Sequence, residues 1–359
     1  MKLGLGLYRH MLTPENLQFA VQTGATHIVA HLVDYFSGIR EGTAEDQPTG
    51  GDQGWGPAGD RHRLWSLEEL LKLRKMVESA GLRLEAIENF DPAHWYDVLL
   101  DGPEKGQQIE NLKTIVRRVG EAGIPVMGYN FSIAGVCGRT TGPYARGGAM
   151  SVGMEGPVDT PVPQGMVWNM VYDLEAAGGE QVAVTPDELW RRLEFFLDEL
   201  LPVAEEAGVT LAAHPDDPPM PTMRGHARLV YQPDLYQRLL DLRPSRSNAL
   251  EFCLGTIAEM PEGDVYEAVD RYSRQGKLAY VHFRNVRGKV PYYRETFVDE
   301  GDIDMIRVLR ILHKNGFDGV LIPDHTPQMN CAAPWHAGMA YAMGYMKAAL
   351  GVIKEEFGC

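Results

Sequence analysis

Residues Leu211–Pro221, LAAHPDDPPMP, decide how the rest of the chain is read. Val209–Ala213 is a short apolar run with the character of a buried strand. His214 closes it, and two aspartates and a string of prolines follow at once. Proline lacks the N–H and fixes φ, so nothing after His214 continues a strand or easily opens a helix. A histidine therefore stands on the lip of a strand, where the chain turns out into a stiff loop.

Working outward, the same short apolar run recurs. Strands are predicted at Leu3–Leu7, His27–Leu32, Arg83–Ile87, Pro125–Tyr129, Thr210–Ala213, Ala249–Phe252, Leu278–Val281 and Gly319–Ile322. Between them lie stretches of helical period. Ser66–Gly81 opens with a Ser-x-x-Glu capping box and ends on glycine. Gly106–Gly123 and Pro186–Gly208 follow the same scheme, and Asp302–Asn315 and Pro334–Lys354 supply two late helices. Eight strands alternating with helices predict a (β/α)8 barrel, with residues 1–359 forming one domain. A doubly wound sheet is the rival, and usually has fewer strands. Two Gly-, Thr- and Pro-rich segments, 34–64 after the second strand and 132–181 after the fourth, leave the C-terminal ends of strands. That end carries a barrel's active site, so these insertions suit a lid or a subunit contact. For the first of them, a plain surface insertion is the competing expectation.

A chain of 359 residues with formal net charge −15 is long enough for such a barrel, and argues against nucleic-acid or membrane-surface partners. No apolar run reaches the length of a membrane span, and the N-terminal one is too short for a signal peptide. Four cysteines without a CxxC pair suggest reduced thiols and a cytoplasmic setting.

The residues that close the last four strands carry the chemistry. They are His214, Cys253 in ALEFC, His282 in AYVHFRN and Asp324 in VLIPDH. Each is about one βα unit from the next, so all four fall on one rim. Singly, each has an ordinary structural explanation; together, two imidazoles, a thiolate and a carboxylate make a divalent-metal site. These donors leave zinc, iron, cobalt and manganese open. Asp216 and Asp217 either orient His214 or cap the turn that follows. His325, beside Asp324, is the candidate for proton transfer. Arg284, two residues after His282, is expected on the same side and suited to clamp a carboxylate. Glu88 and Asn130, at the ends of strands three and four, fit a pocket for hydroxyl groups, and Arg139 can close over an anion. Met339, Met343 and Met346 are expected to pack on the barrel, and Cys137, Cys331 and Cys359 show no ligand pattern.

With HPDDPPMP, Cys253, YVHFRN and PDHTPQM in place, the chain resembles the mannonate dehydratase family. WSLEELLKLRKMVESAGL, the strand ending at Glu88, GYNF, LPVAEEAGV and GDIDM follow in the family's order, so the likeness runs from about Trp65 to the C-terminus. The resemblance implies a xylose-isomerase-like barrel that dehydrates D-mannonate to 2-keto-3-deoxygluconate with a divalent metal, commonly manganese. It implies His214, Cys253, His282 and Asp324 as ligands and His325 as the proton-transfer residue. The substrate shell departs from the family pattern. Val33-Asp34 stands where the family has a His-His pair, Met220 where it has a basic residue, and Val298 where it has a histidine. A family tyrosine falls at His336, which either transfers a proton or merely starts a helix. Three readings follow: a metal-dependent sugar-acid dehydratase, a sugar isomerase or epimerase on the same barrel, and a metal-containing sugar-acid binding protein without turnover. A homo-oligomer is expected, with the two long loops as contact surface.

Overall fold

The computed structural model describes residues 1–37, 47–49 and 54–358. Eight parallel strands close into a barrel in chain order: β1 (Lys2–Leu7), β2 (His27–His31), β3 (Arg83–Glu88), β4 (Val126–Tyr129), β5 (Thr210–Ala213), β6 (Asn248–Cys253), β7 (Leu278–His282) and β8 (Val320–Ile322). All eight predicted strands are present, which bears out the barrel and excludes the doubly wound sheet. Strands covered on both faces need no polar alternation, and β2 and β6 are buried at every residue. Val29, Ala86, Val126, Ala212, Tyr280, Val320 and Ile322 pack as a separate cluster, drawn from six of the barrel strands. Closure is tight at β1, where a Cβ on Gly4 would come within 2.5 Å of Val320 Cγ1.

The helices start and stop where local chemistry dictates. Leu67–Ser79 carries the complete capping box between Ser66 and Glu69, and Pro186–Ala207 carries another between Thr185 and Glu188. Gly208 ends the latter in the left-handed region, at φ 68°, a conformation that glycine adopts without steric cost. Met339, Met343 and Met346 are buried along the last helix, Pro334–Phe357, as expected of packing residues.

Strand register sets the level of the rim. Cys253 lies opposite His282, His282 opposite Ile322, His31 opposite Glu88, and Tyr129 opposite Ala213. The segment 132–181 is built rather than loose. Thr140–Ala145 and Ala149–Glu155 join Asn285–Lys289 and Tyr292–Thr296, from the loop after β7, in a four-stranded antiparallel sheet. The insertion after β2 is stitched to the same region by Trp55 N–H to Asn169 O and Ala58 N–H to Val171 O, each 2.8 Å. The remainder of that insertion, 38–46 and 50–53, lies outside the described residues, as does Cys359.

After β5 the HPDDPP loop is fixed by its first aspartate. Asp216 Oδ2 accepts the Leu229 and Val230 N–H groups at 2.7 and 2.8 Å, and Oδ1 pairs with Arg228 Nε at 3.0 Å. Asp216 therefore ties down the returning loop at Leu229 and Val230, which is neither the orienting of His214 nor the capping of the next turn read from the sequence. Arg228 is 1% exposed, so removing its partner strands a buried guanidinium. Asp216→Ala should cost about 3–5 kcal/mol in denaturant unfolding; a loss below about 1 kcal/mol would show that the pair is not needed.

Candidate metal centre and active site

The residue just past β5 and the last residues of β6 and β7 lead their side chains to one point. One donor atom each of His214, Cys253 and His282 lies within 4.8 Å of the other two. Asp324, just past β8, enters through His282, with Oδ2 3.4 Å from Nδ1. It does so with a positive φ of 62°, unusual for a residue other than glycine. The structure thus brings His214, Cys253 and His282 together and sets Asp324 beside His282.

The donors are prepared for a cation. Burial pushes the Cys253 thiol up, but the Arg284 guanidinium and the His214 imidazole outweigh it and hold the thiol well below its usual range. Burial also opposes charge on His214, yet its hydrogen bond with Cys253 and the charge of Glu251 raise it to about 9. His214 Nδ1 faces Pro215 O at 2.7 Å; an Nδ1–H there would leave Nε2 as the nitrogen that could hold an ion. Neither ring nitrogen of His282 completes a hydrogen bond, although the residue is 1% exposed. A buried thiolate beside two imidazoles, those of His214 and His282, is the donor chemistry of a divalent transition-metal ion, and these residues fit one.

Above this point lies a pocket lined by Tyr8, His31, Tyr35, Trp55, Glu88, Asn130, Arg139, Trp168, Asp217 and His325, together with the ligands His214, His282 and Asp324. His325 is held between three groups. Its Nε2 is 3.3 Å from the Tyr8 hydroxyl and 3.4 Å from Asp324, and its Nδ1 is 3.5 Å from Glu295. Burial works against a charged His325, but Asp324 and Glu295 raise its pKa above the ordinary histidine value. Arg139 borders the pocket while donating to Gln47 Oε1 at 3.0 Å and Pro48 O at 3.2 Å. Asn130 is occupied by the fold: its amide donates to Pro215 O at 3.1 Å and its oxygen accepts from Trp168 Nε1 at 3.1 Å. Met220 and Val298 pack in apolar clusters, and neither lines the pocket.

Two sequence expectations are corrected here. Arg284 does not face the pocket; its guanidinium is turned into the protein. It donates to Asp217 at 2.8 Å, Thr256 at 2.9 Å, Glu295 at 2.5 Å and Cys253 Sγ at 3.3 Å. Glu259 and Asp324 each lie 3.3 Å away. A guanidinium this deeply buried must be surrounded by acids, so none of it is left over for a substrate carboxylate. Asp217, the second aspartate of the loop, is one of those acids: burial opposes its charge, but Arg284 and Arg139 hold it at about 2. His336 is exposed on the first turn of the last helix, with Nε2 3.0 Å from Asn16 and its ring against Phe19. Pro334 opens that helix on the outside of the barrel, so His336 does not reach the pocket.

Three residues were missed by the sequence reading. His31 ends β2 as His282 ends β7, and attending to every strand end would have found it. Glu251, fully buried, lies two residues before Cys253 and so on the same face of β6. Tyr8 follows β1 directly, and its ring packs on His31 at a centroid distance of 4.6 Å. Only fold closure brings β1 beside β8 and hence Tyr8 to His325.

A closed parallel barrel with its polar donors at the C-terminal rim places the chain in the xylose-isomerase-like class of (β/α)8 barrels. A solved xylose isomerase domain protein from Planctomyces limnophilus shares that fold, with TM-score 0.58 at 11% identity over 100% of this chain and 99% of that one. The family model described as D-mannonate dehydratase (UxuA) matches residues 55–152 and 162–353. A mannonate dehydratase from Streptococcus suis (strain 05ZYH33) is 34% identical over 274 residues, 73% of this chain and 74% of its own. One from Thermotoga petrophila is 30% identical over 291 residues, 75% of this chain and 79% of its own. The crystal structure of mannonate dehydratase from Streptococcus suis serotype 2 has TM-score 0.78 at 27% identity and covers 100% of this chain and 95% of that one. The chain belongs to the mannonate dehydratase family, enzymes of the hydro-lyase class, as its resemblance implied. Membership implies a divalent metal, and the residues present fit one.

Cys253→Ala should release the ion held by the strand-end group, read as metal per chain after desalting. Unchanged metal content would remove Cys253 from the site.

Proposed function

We propose that this chain eliminates water from D-mannonate, or a close aldonate, to give the 2-keto-3-deoxy acid. Manganese is the divalent ion, with His214, Cys253, His282 and Asp324 as its ligands. The observation that carries this reading is the convergence of His214, Cys253 and His282 directly beneath a pocket that also holds His325. Family membership supports the same substrate class.

A bound divalent ion supplies Lewis-acid stabilisation of the negative charge that develops on the substrate's carboxyl end. The chain's own residues do the rest. Dehydration removes the proton at C2 and expels the hydroxyl at C3 as water, so one group accepts a proton and one donates. His325 carries one of these transfers, held in place by Tyr8 and Glu295. Arg139 supplies a fixed positive charge at the pocket edge. Tyr35, Trp55 and Trp168 pack against one another, with centroid distances of 5.5–5.8 Å, and form an apolar wall that limits water at the reacting carbons. The cysteine usage read from the sequence is the support for placing this enzyme in the cytoplasm. The rim sheet offers the surface through which we propose a homo-oligomer forms.

The deciding assay is formation of 2-keto-3-deoxygluconate from D-mannonate by manganese-loaded protein. Product supports the reading; no product with metal confirmed bound contradicts it. His325→Asn should lower kcat by at least about 100-fold while leaving the metal in place. Solvent exchange of the C2 hydrogen then identifies its role: exchange that survives puts His325 at the departing hydroxyl, and exchange that vanishes puts it at C2.

A further inference from the structure

Below the strand-end group lies a second set of donors that the proposed dehydration does not use. One donor atom each of Glu88, Glu251 and His282 lies within 4.8 Å of the other two. His282 Nε2 is 3.3 Å from Glu88 Oε2 and 3.3 Å from Glu251 Oε1, while its Nδ1 faces Asp324. The ring therefore stands between two donor groups. His31 Nε2 flanks Glu88 at 3.6 Å. Tyr280 gives its single hydroxyl proton to Glu88, at 3.2 Å. Neither carboxylate oxygen of Glu251 completes a hydrogen bond, although the residue is fully buried. Gly128 on β4 makes the room: a Cβ there would come within 2.5 Å of Glu251 Oε2.

Around His282 stand four acidic groups, of which Cys253, Glu88 and Glu251 are buried and Asp324 is part-buried. The guanidinium among them, Arg284, is already bound by Asp217, Glu259 and Glu295. A divalent ion at the strand ends balances Cys253 and Asp324. It also makes His282 a neutral ligand, which then has at most one proton to offer two carboxylates. That proton and the Tyr280 hydroxyl do not satisfy both carboxyl groups, and Glu251 stays buried with neither oxygen in a hydrogen bond.

We propose that Glu88, Glu251 and His282 form a second divalent-cation site beneath the first, so that the loaded protein holds two ions per chain. This rests on the reading of His214, Cys253, His282 and Asp324 as the upper site. His282 serves both ions through its two nitrogens, its remaining ring proton passing to solvent as the second ion binds. Two carboxylates and an imidazole suit manganese or zinc better than calcium, which takes oxygen ligands only.

The test is the number of Mn²⁺ ions per chain, by elemental analysis of chelated and reconstituted protein, with electron paramagnetic resonance to detect coupling between neighbouring ions. The expected result is two ions per chain with a coupled signal, falling to one ion with an uncoupled signal in Glu251→Gln. Glu88→Gln should behave alike and serves if the first variant does not fold; the wild-type count needs no variant. One ion per chain in the wild type, kept in Glu251→Gln and lost in Cys253→Ala, would overturn the lower site and leave the upper one standing. One ion lost in Glu251→Gln and kept in Cys253→Ala would overturn the two-ion arrangement by removing the upper site instead.

Discussion

The structure depends on one buried guanidinium. Arg284 leaves β7 just after His282 and is enclosed by Asp217, Glu259, Glu295, Asp324 and the Cys253 sulfur. Those five groups come from the loops after β5, β7 and β8, from the end of β6 and from the short helix that follows it. A charge so deep cannot be left unpaired, so the elements that surround it are fixed relative to one another. The same charge holds Cys253 as a thiolate and Asp217 as a carboxylate. Geometry and ionisation at the rim thus share one cause.

From that constraint the site is organised in levels. Arg284 and its acids support the thiolate from the side. His214, Cys253, His282 and Asp324 face one another at the strand ends, and Glu88 and Glu251 lie against the far nitrogen of His282. His325 and Tyr8 stand at the pocket, where a substrate's reacting carbons must come. The four-stranded rim sheet contributes Glu295, which touches Arg284 and also lies beside His325. An insertion that lies outside the barrel in sequence therefore bears on the proton-transfer residue.

Much of this was legible because parallel strands buried on both faces read as plain apolar runs, and the first polar residue after each run marks the rim. That logic found His214, Cys253, His282 and Asp324. It missed His31 because the predicted strand ran on to Leu32, and Glu251 because it lies within β6, where a polar residue does not end the apolar run. Tyr8 could not be paired with His325 from spacing, since 317 residues separate them and only closure of β1 on β8 joins them. Arg284 was placed on the correct strand but given the wrong direction. Its alternation was right for a continuing strand, yet β7 ends at His282, and the acids that claim the side chain come from distant segments. His336 failed for a related reason: its position beyond the Asp-His pair was inferred along the chain, while Pro334 turns the helix outward.

The proposed chemistry rests on an ion lying among the donors at the ends of β5 to β8. Diffraction from crystals of manganese-loaded protein, recorded at the manganese absorption edge, tests it directly. An anomalous peak within bonding distance of His214, Cys253, His282 and Asp324 is expected. A fully loaded crystal with no peak there, or with its strongest peak away from Cys253, would contradict it.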